Sequence, residues 1–206
     1  MPGAVLAAAF CFCLSGATGL VYEVVWVRMM GLVFGHTVFA LTTVVAAFMA
    51  GLALGSYALG RLADRVRRPL GLYALLEAGV ALTCAAVPAL LWVAERGYLA
   101  LGRSWGLSYA GLSAVQVLLV FAILVLPTTL MGGTLPAMTR FCVRTPDAVR
   151  VGVGRLYALN TFGAVAGTAL CGLWLLPRLG MRTTVGIAVG ANLAIAILAW
   201  LIDTRG

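Results

Sequence analysis

Six acidic residues supply every negative side chain of this 206-residue chain, and two of them, Glu23 and Glu77, fall among apolar residues. A charge at the centre of a membrane-spanning helix costs at least ~2.5–3.5 kcal/mol, so it needs a partner or a function. Glu77 interrupts an otherwise uncharged run that begins at Leu70. At helical rise it lies roughly 10 Å inside that run. Two chemistries fit it. One is a cation or proton site. The other is a structural carboxyl, either ion-paired with an arginine or protonated and hydrogen-bonded. Glu23 follows Tyr22 near the end of the first apolar run, with Arg28 five residues on, outside the favourable i,i+4 spacing. It reads as an acidic lip that attracts an amine, or as a solvated interfacial side chain. His36 is the single histidine. It fits a proton switch, because histidine titrates near physiological pH, or a cap at a helix start.

The uncharged polar residues Gln116, Asn160 and Asn192 also fall in apolar runs. Hydrogen bonds between helices are their expected role, at around 0.6 kcal/mol apiece. The five cysteines, Cys11, Cys13, Cys84, Cys142 and Cys171, contain no CxxC pair. Cys11 and Cys13 point about 200° apart on a helix, so they read as small apolar side chains. No phosphate loop, nucleophile–base pair, paired catalytic carboxylates or metal-ligand cluster is visible. The expectation is no cofactor, no metal and no catalysis by this chain itself. Pro127 and Pro136 bracket an apolar stretch with Gly132 and Gly133. That stretch is expected to be a broken helix lining a site or an interfacial turn.

The elements that carry these residues follow from composition. Hydrophobic residues make up 63% and charged residues 10%, against about a quarter charged in soluble domains. Mean hydropathy is +1.09. A soluble enzyme, a disordered chain and a disulfide-stapled module are excluded, which leaves an integral membrane protein in a lipid bilayer. Uncharged runs about 20 residues long suit spanning helices. The spans read as about 4–24, 38–60, 70–93, 108–130, 155–176 and 183–202, within one domain covering 1–206. Alternating barrel segments are absent. The N-terminus lacks the basic region of a signal peptide.

The net charge of +8 comes from fourteen arginines and no lysine. In a membrane protein it reads as topology rather than as a nucleic-acid surface. The even loops and tail hold nine arginines and the odd loops five. That asymmetry places both termini in the cytoplasm of an inner-membrane protein. Trp26, Trp92, Trp105 and Trp174 then fall at the outer interface, and Tyr57, Tyr73 and Tyr157 near the inner one. Such depths suit amphipathic rings, so anchoring is their expected role.

Gly51 and Gly55 in span two and Gly163 and Gly167 in span five are small residues at four-residue spacing. They should let helices approach closely. Each pair sits on the second helix of a three-helix half, as an inverted 3+3 repeat would place it. Between spans two and three, Gly60-x-Leu62-Ala63-Asp64-Arg65 is followed by Arg67-Arg68. This resembles the loop 2–3 signature of the major facilitator superfamily, with Arg67 where a second glycine is usual. The resemblance implies one six-helix half of that all-α fold, with the Asp64 and Arg65 positions capping and bridging helix ends.

A second resemblance covers nearly the whole chain. It rests on Leu14-Ser15-Gly16-Ala17-Thr18-Gly19-Leu20-Val21-Tyr22-Glu23, on Phe48-Met49-Ala50-Gly51-Leu52-Ala53-Leu54-Gly55-Ser56-Tyr57, and on Leu156-Tyr157-Ala158-Leu159-Asn160-Thr161-Phe162-Gly163. Leu130-Met131-Gly132-Gly133-Thr134-Leu135-Pro136 and Tyr73-Ala74-Leu75-Leu76-Glu77 fit the same pattern. Together these segments resemble the membrane domain of the membrane-bound spermidine synthase-like proteins. That likeness implies a cytoplasmic aminopropyltransferase-like domain, whose Gly-rich turn is not within these residues. The leading expectation is an inner-face platform for a transferase-like domain or partner. The alternatives are a polyamine or organic-cation transporter and a structural subunit of a larger membrane complex. A homodimer through spans two and five is the expected self-association.

Overall fold

The computed structural model describes residues 2–34, 38–105, 108–143 and 146–205. The described chain is helical almost throughout: α1 (Pro2–Phe34), α2 (Val38–Arg65), α3 (Pro69–Trp105), α4 (Tyr109–Cys142), α5 (Pro146–Leu170), a π turn (Cys171–Leu175) and α6 (Leu176–Arg205). In lipid, backbone groups must be satisfied within the segment, which favours helices in sequences this apolar. Five stretches are long and apolar enough to cross a membrane, so this is a multi-pass membrane protein. The fifth stretch, Val151–Thr204, is 54 residues long. It is broken at Gly180, whose φ of 72° and ψ of 175° are non-helical.

Local signals set the helix ends. Pro2, Pro69 and Pro146 each open a helix, where proline's missing N–H costs nothing. Ser108 caps α4, its hydroxyl accepting from the Gly111 amide at 3.3 Å. Gly180 is the one described residue with positive φ, a conformation that costs glycine little.

The helices extend past the expected spans because charged ends leave the hydrocarbon and remain helical. Exposed Arg61, Arg96 and Arg178 each lie over the aromatic ring four residues earlier: Tyr57 at 4.1 Å, Trp92 at 3.9 Å and Trp174 at 5.2 Å. These pairs keep a cation and an aromatic face together on the helix surface. Trp92, Trp174, Tyr57 and Tyr157 are exposed, as anchors should be. Trp26 and Tyr73 are not. Both are completely buried, so their expected interfacial role is corrected: Trp26 stacks on Tyr22, and Tyr73 meets Phe12 edge-on.

Two tight seams organise the bundle. Along α2 and α4, a side chain at Gly51 would strike Thr128, and one at Gly55 would strike the Thr129 carbonyl. Gly132 of α4 faces the Leu52 backbone in return. Along α1 and α5, Gly163 lies against the Cys13 carbonyl, Gly167 against that of Ala17, and Gly16 against Asn160. Small residues here let backbones touch, which lipid cannot drive by hydrophobic force alone. The Asn160 amide donates to the Phe12 carbonyl at 3.0 Å across the second seam.

The first seam also explains α4. It runs unbroken through Pro127 and Pro136, so neither a broken helix nor a turn forms there. Pro136 cannot donate to the Gly132 carbonyl. The Ser56 hydroxyl of α2 donates to that carbonyl instead, at 3.2 Å. Beside Pro127, the Thr128 and Thr129 hydroxyls donate to the Leu124 and Val125 carbonyls, each at 2.6 Å.

Candidate functional site

Two apolar clusters fill the bundle. One contains Tyr22, Val80 and Ala188; the other contains Tyr73, Leu76 and Ile195. Along α3 and α6, Glu77 and Asn192 fall between them. A polar layer therefore divides the apolar core, and α1, α3 and α6 build it.

Ser15 and Tyr22 are seven residues apart on α1 and share a face. Tyr73 and Glu77 are four apart on α3 and stack in the same way. Glu77 is fully buried. The Ser15 hydroxyl donates to Glu77 Oε1 at 2.5 Å, and the Asn192 amide donates to Oε2 at 2.5 Å. The Tyr22 hydroxyl donates to Asn192 Oδ1 at 2.9 Å. That bond turns the amide nitrogen of Asn192 toward the carboxyl. The Tyr73 hydroxyl faces both Glu77 and Ser15. Its separation from them closes no hydrogen bond, so it is a buried polar atom without a partner among the described residues.

Among the described residues, no arginine joins this layer. The ion pair among the described residues lies elsewhere, between Arg68 and Asp203 at 4.0 Å. The expected alternative of an arginine partner for Glu77 is therefore not realised. A carboxylate this deep in a lipid-embedded bundle is costly unless a positive charge or a bound proton balances it. Two neutral donors stabilise it without cancelling that charge. The carboxyl is therefore a place where a single positive charge, such as a proton, would be balanced.

The other expected residues lie apart from this layer. Glu23 is half-buried on α1 and has no hydrogen bond or ion pair among the described residues. Gln116 is buried on α4, away from the Glu77 bonds. Asn160 serves the α1–α5 seam. His36 lies outside the described residues. Gly60 lies against Pro136, while Asp64 and Arg65 are exposed and unpaired. The bridge between helix ends is made by Arg68 instead. Asp203, its partner, sits beside Gly71 in the first turn of α3. A carboxylate is favoured there because unpaired N–H groups point out of a helix start.

A separate open groove of about 830 Å³ lies between α3 and α6, walled by Pro88, Trp92, Met181 and Val185 with Glu95 and Arg182. Glu77, Glu23 and Gln116 do not line it.

The sequence undervalued Ser15, Tyr22 and Tyr73. The available signal was spacing: seven residues on α1 and four on α3 align them with a buried acid. Comparison with known proteins returns no matching family model, no matching curated protein and no matching solved structure.

Proposed function

We propose that this chain is one half of a carrier for a cationic solute, with polyamines and other organic cations as candidates, and that a monovalent ion at Glu77 couples its movement. The carrying observation is a fully buried carboxyl with neutral donors on both oxygens and no arginine among its described partners. A purely structural bundle gains little from a group that costs this much to bury.

An inverted 3+3 repeat of six crossings belongs to the proposal. The 54-residue stretch would extend roughly 80 Å as one straight helix, against a hydrocarbon core of ~30 Å. The Gly180 break supports reading it as two crossings. The packing supports the repeat: α2 lies on α4 as α5 lies on α1, and α3 meets α4 as α6 meets α1. Exchanging the two halves of the chain reproduces these pairings.

The second half of the carrier would come from another copy or a partner. Large apolar side chains on the outer faces of α2 and α5, such as Met49, Tyr57 and Phe162, support that role for spans two and five. An inner-membrane location with cytoplasmic termini rests on the arginine asymmetry.

Uptake of labelled spermidine into proteoliposomes tests the reading. The expected result is uptake above empty liposomes that is driven by an imposed ion gradient and loses that drive in Glu77→Gln. Uptake equal to that of empty liposomes would overturn it.

One observation favours a second reading, the inner-face platform for a transferase-like domain. The Arg68–Asp203 bridge ties the end of α6 to the start of α3. A domain held near that end would be fixed relative to the bundle. Co-purification of a transferase activity from native membranes, lost on Asp203→Arg, is its expected signature.

A further inference from the structure

We infer that the ion held at Glu77 is a proton, bound between its carboxyl and Ser15 Oγ, with the Tyr73 hydroxyl as a reserve donor that engages when the proton leaves. The inference rests on the carrier reading above and names the coupling ion of that same site.

Three observations carry it. First, the groups around the carboxyl are donors. Asn192 presents its amide nitrogen, because its oxygen is occupied by the Tyr22 hydroxyl. A bound metal cation needs oxygen ligands at that position, and an N–H group cannot serve as one. Second, Glu77 is completely enclosed and does not line the groove between α3 and α6, so no organic amine is accommodated against it. Third, the Tyr73 hydroxyl is completely buried, faces the carboxyl and closes no hydrogen bond among the described residues. A buried hydroxyl left unbonded is costly. That cost is recovered in a charge state in which the hydroxyl donates to the carboxylate.

The two states use the same atoms. With the proton bound, the Glu77 hydroxyl donates to Ser15 Oγ across the existing contact, and Asn192 continues to donate to Oε2. The Ser15 hydrogen then turns to a carbonyl of its own helix, as helical serines commonly do. When the proton leaves, Ser15 donates back to Oε1. Tyr73 closes its bond as a third donor, so the carboxylate accepts from three neutral groups. The titratable side chains facing the site are Cys11 and Tyr22 of α1 and Tyr73 and Cys84 of α3. From α6 the contributing group is the Asn192 amide. The single charged residue of α4, packed against α3, is Arg140, exposed near the far end of that helix.

Infrared difference spectroscopy of the purified protein in lipid tests this at neutral pH. The expected result is a protonated-carboxyl C=O band that disappears in Glu77→Gln. Replacing potassium by sodium should leave the band unchanged. In Ser15→Ala it should shift to higher frequency, because the acid loses its acceptor. A carboxylate signature for Glu77 at neutral pH, or loss of the band on adding sodium, would overturn the proton assignment and leave a coupling cation standing. An intact band with spermidine uptake no higher than in empty liposomes would overturn the carrier reading alone.

Discussion

The glycine seams and the Glu77 layer hold helices together by opposite means. In the α2–α4 and α1–α5 seams, backbones approach until no side chain fits, and attraction comes from many weak contacts. In the α1–α3–α6 layer, Ser15 of α1 and Asn192 of α6 reach a single acid of α3 through directed bonds, and Tyr22 of α1 orients Asn192. The seams demand smallness and are indifferent to chemistry. The layer demands donors and acceptors and tolerates a swap that preserves them. Stability should therefore fail first in the seams, and function first in the layer.

The largest expected effect is Gly163→Leu or Gly55→Leu. Even a Cβ at either position would run into the backbone of the facing helix. Overpacking typically costs about 1–3 kcal/mol, and enforced helix separation adds to it. Thermal unfolding in detergent should show a fall in Tm large enough to lower the folded yield. A fall no larger than that of an exposed control on α4, Leu118→Val, would break the contrast between the two regions.

Next comes Glu77→Leu. It leaves the Ser15 hydroxyl and the Asn192 amide buried without an acceptor, at about 1–3 kcal/mol each. Glu77→Gln should cost far less, because a carboxamide oxygen still accepts one of the bonds. Denaturation curves that place the two variants together would show that the layer is held by shape rather than by hydrogen bonding.

Asn160→Leu is expected to cost around 0.6 kcal/mol through its bond to the Phe12 carbonyl, plus the strain of a larger group against Gly16. The smallest effect belongs to Arg68→Ala. Its side chain is 72% exposed, and exposed ion pairs contribute at most about 1 kcal/mol. A loss of several kcal/mol there would transfer importance from the core to the bridge.

Much of this was legible in the amino-acid order. The uncharged runs located the helices, the glycine pairs located both seams, and the scarcity of charge singled out Glu77. The rest depended on facts of tertiary structure. The continuity of α4 through Pro136 hinges on a Ser56 hydroxyl from another helix. Tyr73 and Trp26 looked like interface anchors because a helix apolar on every side gives no sign of which face turns inward. The bridge was expected at Asp64 and Arg65 from a motif, but the carboxylate that Arg68 reaches belongs to α6, far away in sequence.

The most direct test of the central claim is accumulation of labelled spermidine in proteoliposomes under an imposed proton gradient, comparing wild type with Glu77→Gln at matched folded content. Wild type should concentrate the label severalfold above the equilibrium level, and the variant should only equilibrate it. Equal accumulation by both proteins would contradict the assignment of Glu77 as the coupling group.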